Sequence, residues 1–503
     1  MPSKSEFFER VWETELRALD YHEIRLRTEH RNDIDFNEVD TTNKVTEHYE
    51  TPAPIFAAAM DSISDDKMAI AMGMVGGGAF IHHANTPDEQ KKMVRSVKRH
   101  LNGRIDDPTT ARIDDGCRDV LEMLDSKDSD YRTLPVIDEN GKFSGLVTGN
   151  HFELFRPTLS ESKIEDIMTP AETVPVLDVG SSEESIHDKH TRALNMMRQE
   201  KVKILPVLNE DRTVHSMYIA PDLLRVMYGN PDDYSLDDSG RLLTFASVPA
   251  DPTLALERLD HFGKYLDVVA IDTSHGEHER SFSTLSAIKN YVNAVKEVRE
   301  SYSHIDVVAG NISTAETATL LARAEPNSIK VGQGPGAICD SSGRLGFGTP
   351  QAQAVYECSE AINKVNKDMP IIADGGIKDS ADTVKALALG ASAVMVGGLV
   401  AGTEEQPVPE EKLADGTVVK RYWGMGSERA QKNYAAARQR YGNFDKGQTD
   451  IIFSEGHEVT VRLKGPVASV IKEHMLGVKI SIGSQGFRNI AELQDGVSLM
   501  RGA

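Results

Sequence analysis

The stretch IIADGGIKDSADTVKALALGASAVMVGG, residues 371–398, reads as a strand, a helical stretch and a second strand. Both strands, Ile371–Gly375 and Ala393–Gly398, are short apolar runs that end in glycine. Strands buried on both faces have this composition, and a carboxyl end that opens into glycine or aspartate suits a site rather than a core. The same unit recurs on both sides of a middle region. Six further strands are predicted at Pro54–Asp61, Gly78–His83, Leu243–Val248, Asp267–Thr273, Asp306–Asn311 and Ser328–Gly332. Strands alternating with helical stretches imply parallel pairing through crossover helices. Eight such units predict an α/β fold closed into a (β/α)8, or TIM, barrel.

Outward from this rhythm, the region between the second and third strands behaves differently. It holds two similar blocks, TLPVIDENGKFSGLVTGNHF (Thr133–Phe152) and ILPVLNEDRTVHSMYIAPDLL (Ile204–Leu224), each reading strand, turn, strand, helix. Helical stretches, Asp115–Ser126 and Asp188–Glu200, precede them, so the region is predicted to be a tandem repeat inserted into one barrel loop. With 503 residues the chain is too long for one ordinary core. The expected division is a barrel of residues 1–103 and 231–503 with an insert of residues 104–230.

Composition excludes several classes. The formal charge of -22 opposes contact with nucleic acid or anionic lipid, because such contact draws on basic side chains neutralising phosphates. No run of some eighteen apolar residues and no export signal is present, so no membrane partner is expected and the expected location is the cytoplasm. The three cysteines, Cys117, Cys339 and Cys358, show neither paired zinc spacing nor disulfide density. Any phosphorylated ligand must be held by local donors such as backbone N–H groups.

The densest chemistry lies in KVGQGPGAICDSSGRLGFGTP (Lys330–Pro350), where a strand runs into a glycine-rich loop carrying one cysteine. Such a loop can turn carbonyls onto a monovalent cation and present a thiol at the barrel mouth. It can equally be a flexible connection with an inert, buried cysteine. Cys117 falls in the insert and Cys358 on a helix beginning near Gln351, so neither stands at a strand's carboxyl end.

The loop resembles the cysteine loop of the IMP dehydrogenase/GMP reductase family. The resemblance continues in order through APIFAAAMDSIS (Ala53–Ser64), AIDTSHG (Ala270–Gly276), VAGNIST (Val308–Thr314), Ile371–Pro407 and YWGMGSERA (Tyr422–Ala430). It implies NAD-dependent oxidation of IMP to XMP through a covalent intermediate on Cys339, with Ser341 and Glu455 as a proton relay. Arg440 and Tyr441, in a flap of about residues 431–454, match the dipeptide that activates water in the dehydrogenases; the plain alternative for Arg440 is a surface position on a polar helix. The resemblance places the ribose on Asp374 and the 5′-phosphate on Gly376, Gly397, Gly398 and Tyr422. It places the hypoxanthine edge on Met425 and Gly426, and makes Asn311 a further substrate contact. Asp272, Thr273 and Ser274 match the contacts to the nicotinamide ribose, and the carbonyls of Gly334, Gly336 and Cys339 are potential potassium ligands.

The insert resembles a tandem CBS, or Bateman, pair, which implies adenine or guanine nucleotides as effectors and a homotetramer or octamer; alternatively it serves packing and assembly alone. NADPH-dependent reduction of GMP to IMP uses the same cysteine and is the alternative activity. A third reading is a purine-nucleotide-binding regulator without turnover. Family hydroxyls are absent at Ala337 and Gly398, Ser341 stands where threonine is usual, and Asp340 is expected to add negative charge beside an anionic substrate.

Overall fold

The computed structural model describes residues 4–15, 18–27, 34–101, 103–105, 108–126, 132–180, 184–298, 305–433 and 453–502. Two compact units divide the chain, residues 1–99 with 232–503, and residues 100–231.

The larger unit is a closed barrel of eight strands. They are β1 (Ile55–Ala57), β2 (Gly78–Ile81), β3 (Phe245–Pro249), β4 (Val268–Asp272), β5 (Asp306–Ile312), β6 (Ser328–Val331), β7 (Ile371–Asp374) and β8 (Ala393–Val396). Every neighbouring pair is parallel, and β8 closes onto β1 through Val394–Ile55, Met395–Phe56 and Val396–Ala57. All eight expected strands are present. Each residue of seven strands is buried; in β7 only Asp374 is partly open, at the end where the strand leaves the core. Burial on both faces explains why these segments read as apolar runs without alternation.

Crossover helices follow the strands: α1 (Asp66–Gly73), α2 (Pro87–Arg99), α3 (Pro252–Phe262), α4 (Glu279–Val298), α5 (Ala315–Arg323), α6 (Gln351–Asn363) and α7 (Ser380–Ala388). Several start at a residue whose side chain accepts from the first free N–H groups: Asp65 from Met68, Asp251 from Thr253 and Leu254, Thr314 from Thr317, Asp379 from Asp382. After β8 the chain first builds a three-stranded antiparallel sheet from Glu410–Lys412, Val418–Trp423 and Glu458–Arg462. Helix α8 (Val467–Ser484) then packs against both α7 and α1 and completes the ring.

The barrel interior is aromatic. Phe56, Phe80 and Phe245 meet with ring centroids 5.0–5.8 Å apart, among Leu243, Val308, Ile372 and Met395. A Cβ on Gly78 would stand 2.6 Å from the Phe56 ring and 2.9 Å from that of Phe245, so only glycine fits. Two ion pairs on one lysine anchor α2: Lys98 Nζ lies 2.7 Å from Asp267 and 2.6 Å from Asp237, with Lys98 3% and Asp267 0% exposed.

The smaller unit repeats one motif. Its first copy runs Ala111–Arg112, helix Cys117–Ser126, Leu134–Ile137, Phe143–Val147 and helix Gly149–Leu154; the second runs Leu177–Asp178, helix Ile186–Glu200, Ile204–Leu208, Val214–Ile219 and helix Ala220–Tyr228. In each copy the first strand pairs in parallel with the second, and the hairpin slips register at the equivalent step, between Val136 and Ile137 and between Val207 and Leu208. Each keeps its own core, around Val120, Leu134 and Phe152 in one and Leu194, Leu205 and Leu223 in the other. This unit begins at His100 rather than Arg104.

Replacing Lys98 by Met leaves the Asp267 carboxylate buried with its main cation gone. Urea unfolding is expected to show a loss of about 3–5 kcal/mol; a loss below about 1 kcal/mol would show that the pair is not what ties α2 to the barrel.

Candidate active site

A pocket opens where the strands end, lined by Asp272, Asn311, Gly332, Asp374 and Gly397 at the exits of β4, β5, β6, β7 and β8. Among its walls is the loop that leaves β6. Gly332 has φ +146°, and a Cβ there would fall 2.1 Å from the Asp374 carbonyl oxygen; Gly334 follows at φ +90°. Glycine is required at both positions by backbone conformation, and at the first also by contact with β7.

Cys339 is set by a short antiparallel bridge to Gly456. Asp340 N–H donates to the Glu455 carbonyl at 2.9 Å and His457 N–H to the Ile338 carbonyl at 2.9 Å. The bridge brings Glu455 against the loop, where Ser341 Oγ donates to Glu455 Oε2 at 3.0 Å and lies 3.4 Å from Cys339 Sγ. Thiol, hydroxyl and carboxylate therefore form one continuous chain, and all three line the pocket. Cys339 is partly exposed, whereas Cys117 and Cys358 are buried and burial pushes both of their thiols up.

Beside the start of the loop, Asn311 Nδ2 donates to Asp374 Oδ2 at 2.8 Å, and Lys330 Nζ meets the same oxygen at 3.0 Å. Gly376, Gly397 and Gly398 line the pocket with Tyr422, whose hydroxyl would stand 2.4 Å from a Cβ on Gly397. Burial, with Asp374 and Cys339 nearby, pushes the Tyr422 hydroxyl well up, so it stays protonated and can donate. Met425 and Gly426 line the same wall. The Gly426 carbonyl accepts from Glu455 N–H and Gln431 Nε2, each at 2.9 Å, and Trp423 ties the wall to the loop after β1 through Nε1 and the Asp61 carboxylate at 3.0 Å.

Of the three residues expected to meet the nicotinamide ribose, Asp272 and Ser274 line the pocket but Thr273 does not. Thr273 supports the loop instead: its carbonyl accepts from Asn311 N–H at 3.1 Å and its Oγ1 from His275 N–H at 3.2 Å. Asp340, expected beside the substrate, is also absent from the walls; its carboxylate turns to His457 at 3.3 Å, because the bridge points it away from Cys339. Ala337 and Gly398 are neighbours, with 3.6 Å between the Ala337 Cβ and a Cβ built on Gly398, so the two missing hydroxyls belong to one spot. Gly334 and Gly336 line the pocket, and the Gly336 carbonyl accepts from Cys339 N–H at 3.0 Å. Arg440 and Tyr441 lie outside the described residues, as does most of the flap.

Two groups escaped the sequence reading. Lys330 is 4% exposed within a strand of four buried residues, and a lysine between Ile329 and Val331 in such a run was the signal. His275 stands at the rim, with its ring 5.1 Å from Phe347. Its hydrogen bond to Glu277 raises its pKa despite partial burial, and Phe347 lines the pocket. No sequence spacing linked His275 to Phe347, since the two come together only across the barrel rim.

Among the described residues, no group of three or more His, Cys, Asp or Glu side chains could hold a metal ion, and no helix is long and apolar enough to cross a membrane. The model of the IMP dehydrogenase / GMP reductase domain matches residues 18–503. An inosine-5′-monophosphate dehydrogenase of Aquifex aeolicus is 32% identical over 92% of this chain and 89% of its own, and one of Escherichia coli is 31% identical over 96% and 93%. Among solved structures, a GMP reductase of Trypanosoma brucei in complex with guanosine 5′-monophosphate superposes with a TM-score of 0.79 at 26% identity, covering 97% of this chain and 95% of that one. A match that runs through the barrel, the cysteine loop and the region after Tyr422 places this chain in the IMP dehydrogenase/GMP reductase family, whose enzymes act in purine nucleotide metabolism.

Proposed function

We propose that the protein oxidises IMP to XMP with NAD, through a covalent intermediate on Cys339. The observation that supports covalent chemistry on Cys339, common to oxidation of IMP and reduction of GMP, is the chain from Cys339 Sγ through Ser341 Oγ to Glu455 Oε2 at the mouth of the barrel; the direction of oxidation rests on the Arg-Tyr dipeptide at residues 440–441. The sulfur adds as thiolate to C2 of the purine, its proton leaving along Ser341 toward Glu455. NAD, when bound, accepts the hydride that C2 releases. Loss of hydride leaves a thioimidate between the sulfur and C2; water adds to that carbon, the C–S bond breaks, and XMP departs as the thiol recovers its proton. Arg440, with Tyr441, is assigned the activation of that water; an arginine can serve as a base only in a closed, dry site.

Binding roles follow the walls. Asp374 accepts from the ribose hydroxyls, and Asn311 holds its carboxylate. Backbone amides at Gly376, Gly397 and Gly398 with the Tyr422 hydroxyl hold the phosphate; Met425 and Gly426 meet the hypoxanthine edge. Asp272 and Ser274 offer an acceptor and a donor suited to the nicotinamide ribose, with Thr273 acting through the loop. A potassium ion would be held by the carbonyls of Gly334, Gly336 and Cys339, stiffening the loop. Insert residues 100–231 are assigned as a CBS pair that binds adenine or guanine nucleotides, within a cytoplasmic homotetramer or octamer. The internal repeat with its paired register slips supports that assignment.

A specific observation favours a second reading, NADPH-dependent reduction of GMP. The Trypanosoma brucei GMP reductase matches nearly the whole chain, insert included, so the insert does not separate the two activities. The Arg-Tyr dipeptide at residues 440–441 and relatives named as dehydrogenases over more than nine-tenths of the chain favour oxidation.

Absorbance of the reduced cofactor decides between them: growth with IMP and NAD is expected, whereas consumption with GMP and NADPH and no growth in the first mixture would make the protein a reductase. Cys339→Ala is expected to lower kcat by about 10⁴-fold or more with an unchanged melting profile, and Glu455→Gln by about 100-fold. Iodoacetamide followed by peptide mass mapping should modify Cys339 at least about tenfold faster than Cys117 or Cys358, since thiolate character and access govern the rate; earlier labelling of either buried thiol contradicts the placement of the nucleophile.

A further inference from the structure

Lys330 stands within β6, where every residue is buried, and its side chain is 4% exposed. A buried ammonium is unfavourable unless matched, and apolar residues commonly replace a buried ion pair with no loss of stability. Stability alone therefore does not account for a lysine at this point of the strand. Its partners face the pocket. Nζ lies 2.5 Å from Asn311 Oδ1 and 3.0 Å from Asp374 Oδ2, while Asn311 Nδ2 donates to that same Asp374 oxygen at 2.8 Å and to the Gly332 carbonyl at 2.7 Å. Two donors converge on Oδ2, and among the described residues no donor meets Oδ1. Lys330, Asn311 and Asp374 all line the pocket, and the Asp374 side chain is 21% exposed.

A carboxylate free to turn about its last bond can re-form hydrogen bonds with a ligand that lacks one hydroxyl. A carboxylate gripped on one oxygen presents the other in one direction only, and this preorganisation turns a missing hydroxyl into a lost bond. We propose that Lys330 is a positioning residue: with Asn311 it clamps Asp374 Oδ2, so that Oδ1 reads the vicinal ribose diol and the site selects ribonucleotides over 2′-deoxyribonucleotides. This rests on the purine-mononucleotide reading of the pocket.

Calorimetric titration of the full chain with IMP and with 2′-deoxy-IMP, without cofactor, tests it. Wild type should prefer IMP by about 10–100-fold, the range of one hydrogen bond to a charged group. Lys330→Met should bind IMP about 10–100-fold more weakly and retain less than about a threefold preference, and Lys330→Arg should restore the preference. A merely structural lysine would weaken both ligands alike and leave their ratio unchanged. Should Lys330→Met fail to fold, Asn311→Ala removes the other half of the clamp and must lose the preference too. A Lys330→Met protein, or in its place an Asn311→Ala protein, that keeps a tenfold preference overturns the clamp while leaving the nucleotide site standing. Wild type that binds no IMP at all overturns the nucleotide site, and the clamp with it.

Discussion

Two backbone hydrogen bonds, from Asp340 N–H to Glu455 and from His457 N–H to Ile338, hold the site together. Ser341 and Glu455 are 114 positions apart in the chain, and nothing local relates them. The bridge turns a glycine-rich loop, which has high conformational entropy, into a rigid support for a thiol. It also sorts the side chains: Ser341 faces inward to Glu455, and Asp340 turns toward His457. The acidic residue beside the cysteine is thereby kept off the pocket walls.

Electrostatics explains the rest of the pocket. A chain of net charge -22 repels any anion at long range, so an anionic ligand could be held only by short-range, directional groups. Lys330 supplies a local cation, and the Tyr422 hydroxyl, held protonated by burial, supplies a donor. The neighbouring Ala337 and Gly398 carry no hydroxyl at one corner, where Tyr422 lines the pocket and Lys464 Nζ donates to the Gly398 carbonyl at 3.1 Å. Gly397 belongs to the same economy of space, since any side chain on it would displace the tyrosine hydroxyl.

The insert shows how a repeat is recognised physically rather than by similarity of letters. Leu134-Pro135-Val136-Ile137 and Leu205-Pro206-Val207-Leu208 pair in the same way and slip register at the same step. The match of hydrogen-bond pattern is stronger than the match of residue identity, because a bulge constrains backbone geometry on both strands at once.

The barrel was legible from the amino-acid order because its strands are buried on both faces, which forces continuous apolar runs such as VVAID at Val268–Asp272 whatever the neighbours are. Cys339, Asp374 and Glu455 were singled out through resemblance of their motifs, which set each beside glycines that shape its loop, and all three line the pocket. Orientation was not legible. Whether Asp340 or Ser341 faces the pocket, whether Thr273 touches ligand or backbone, and that Lys330 reaches Asp374 depend on contacts between strands far apart in sequence. Local sequence determines which segments become buried strands and where the chain turns, because those preferences are set by neighbours along the chain. The tertiary structure alone decided which polar groups meet at the barrel mouth, because closing the barrel is what brings the ends of its strands together.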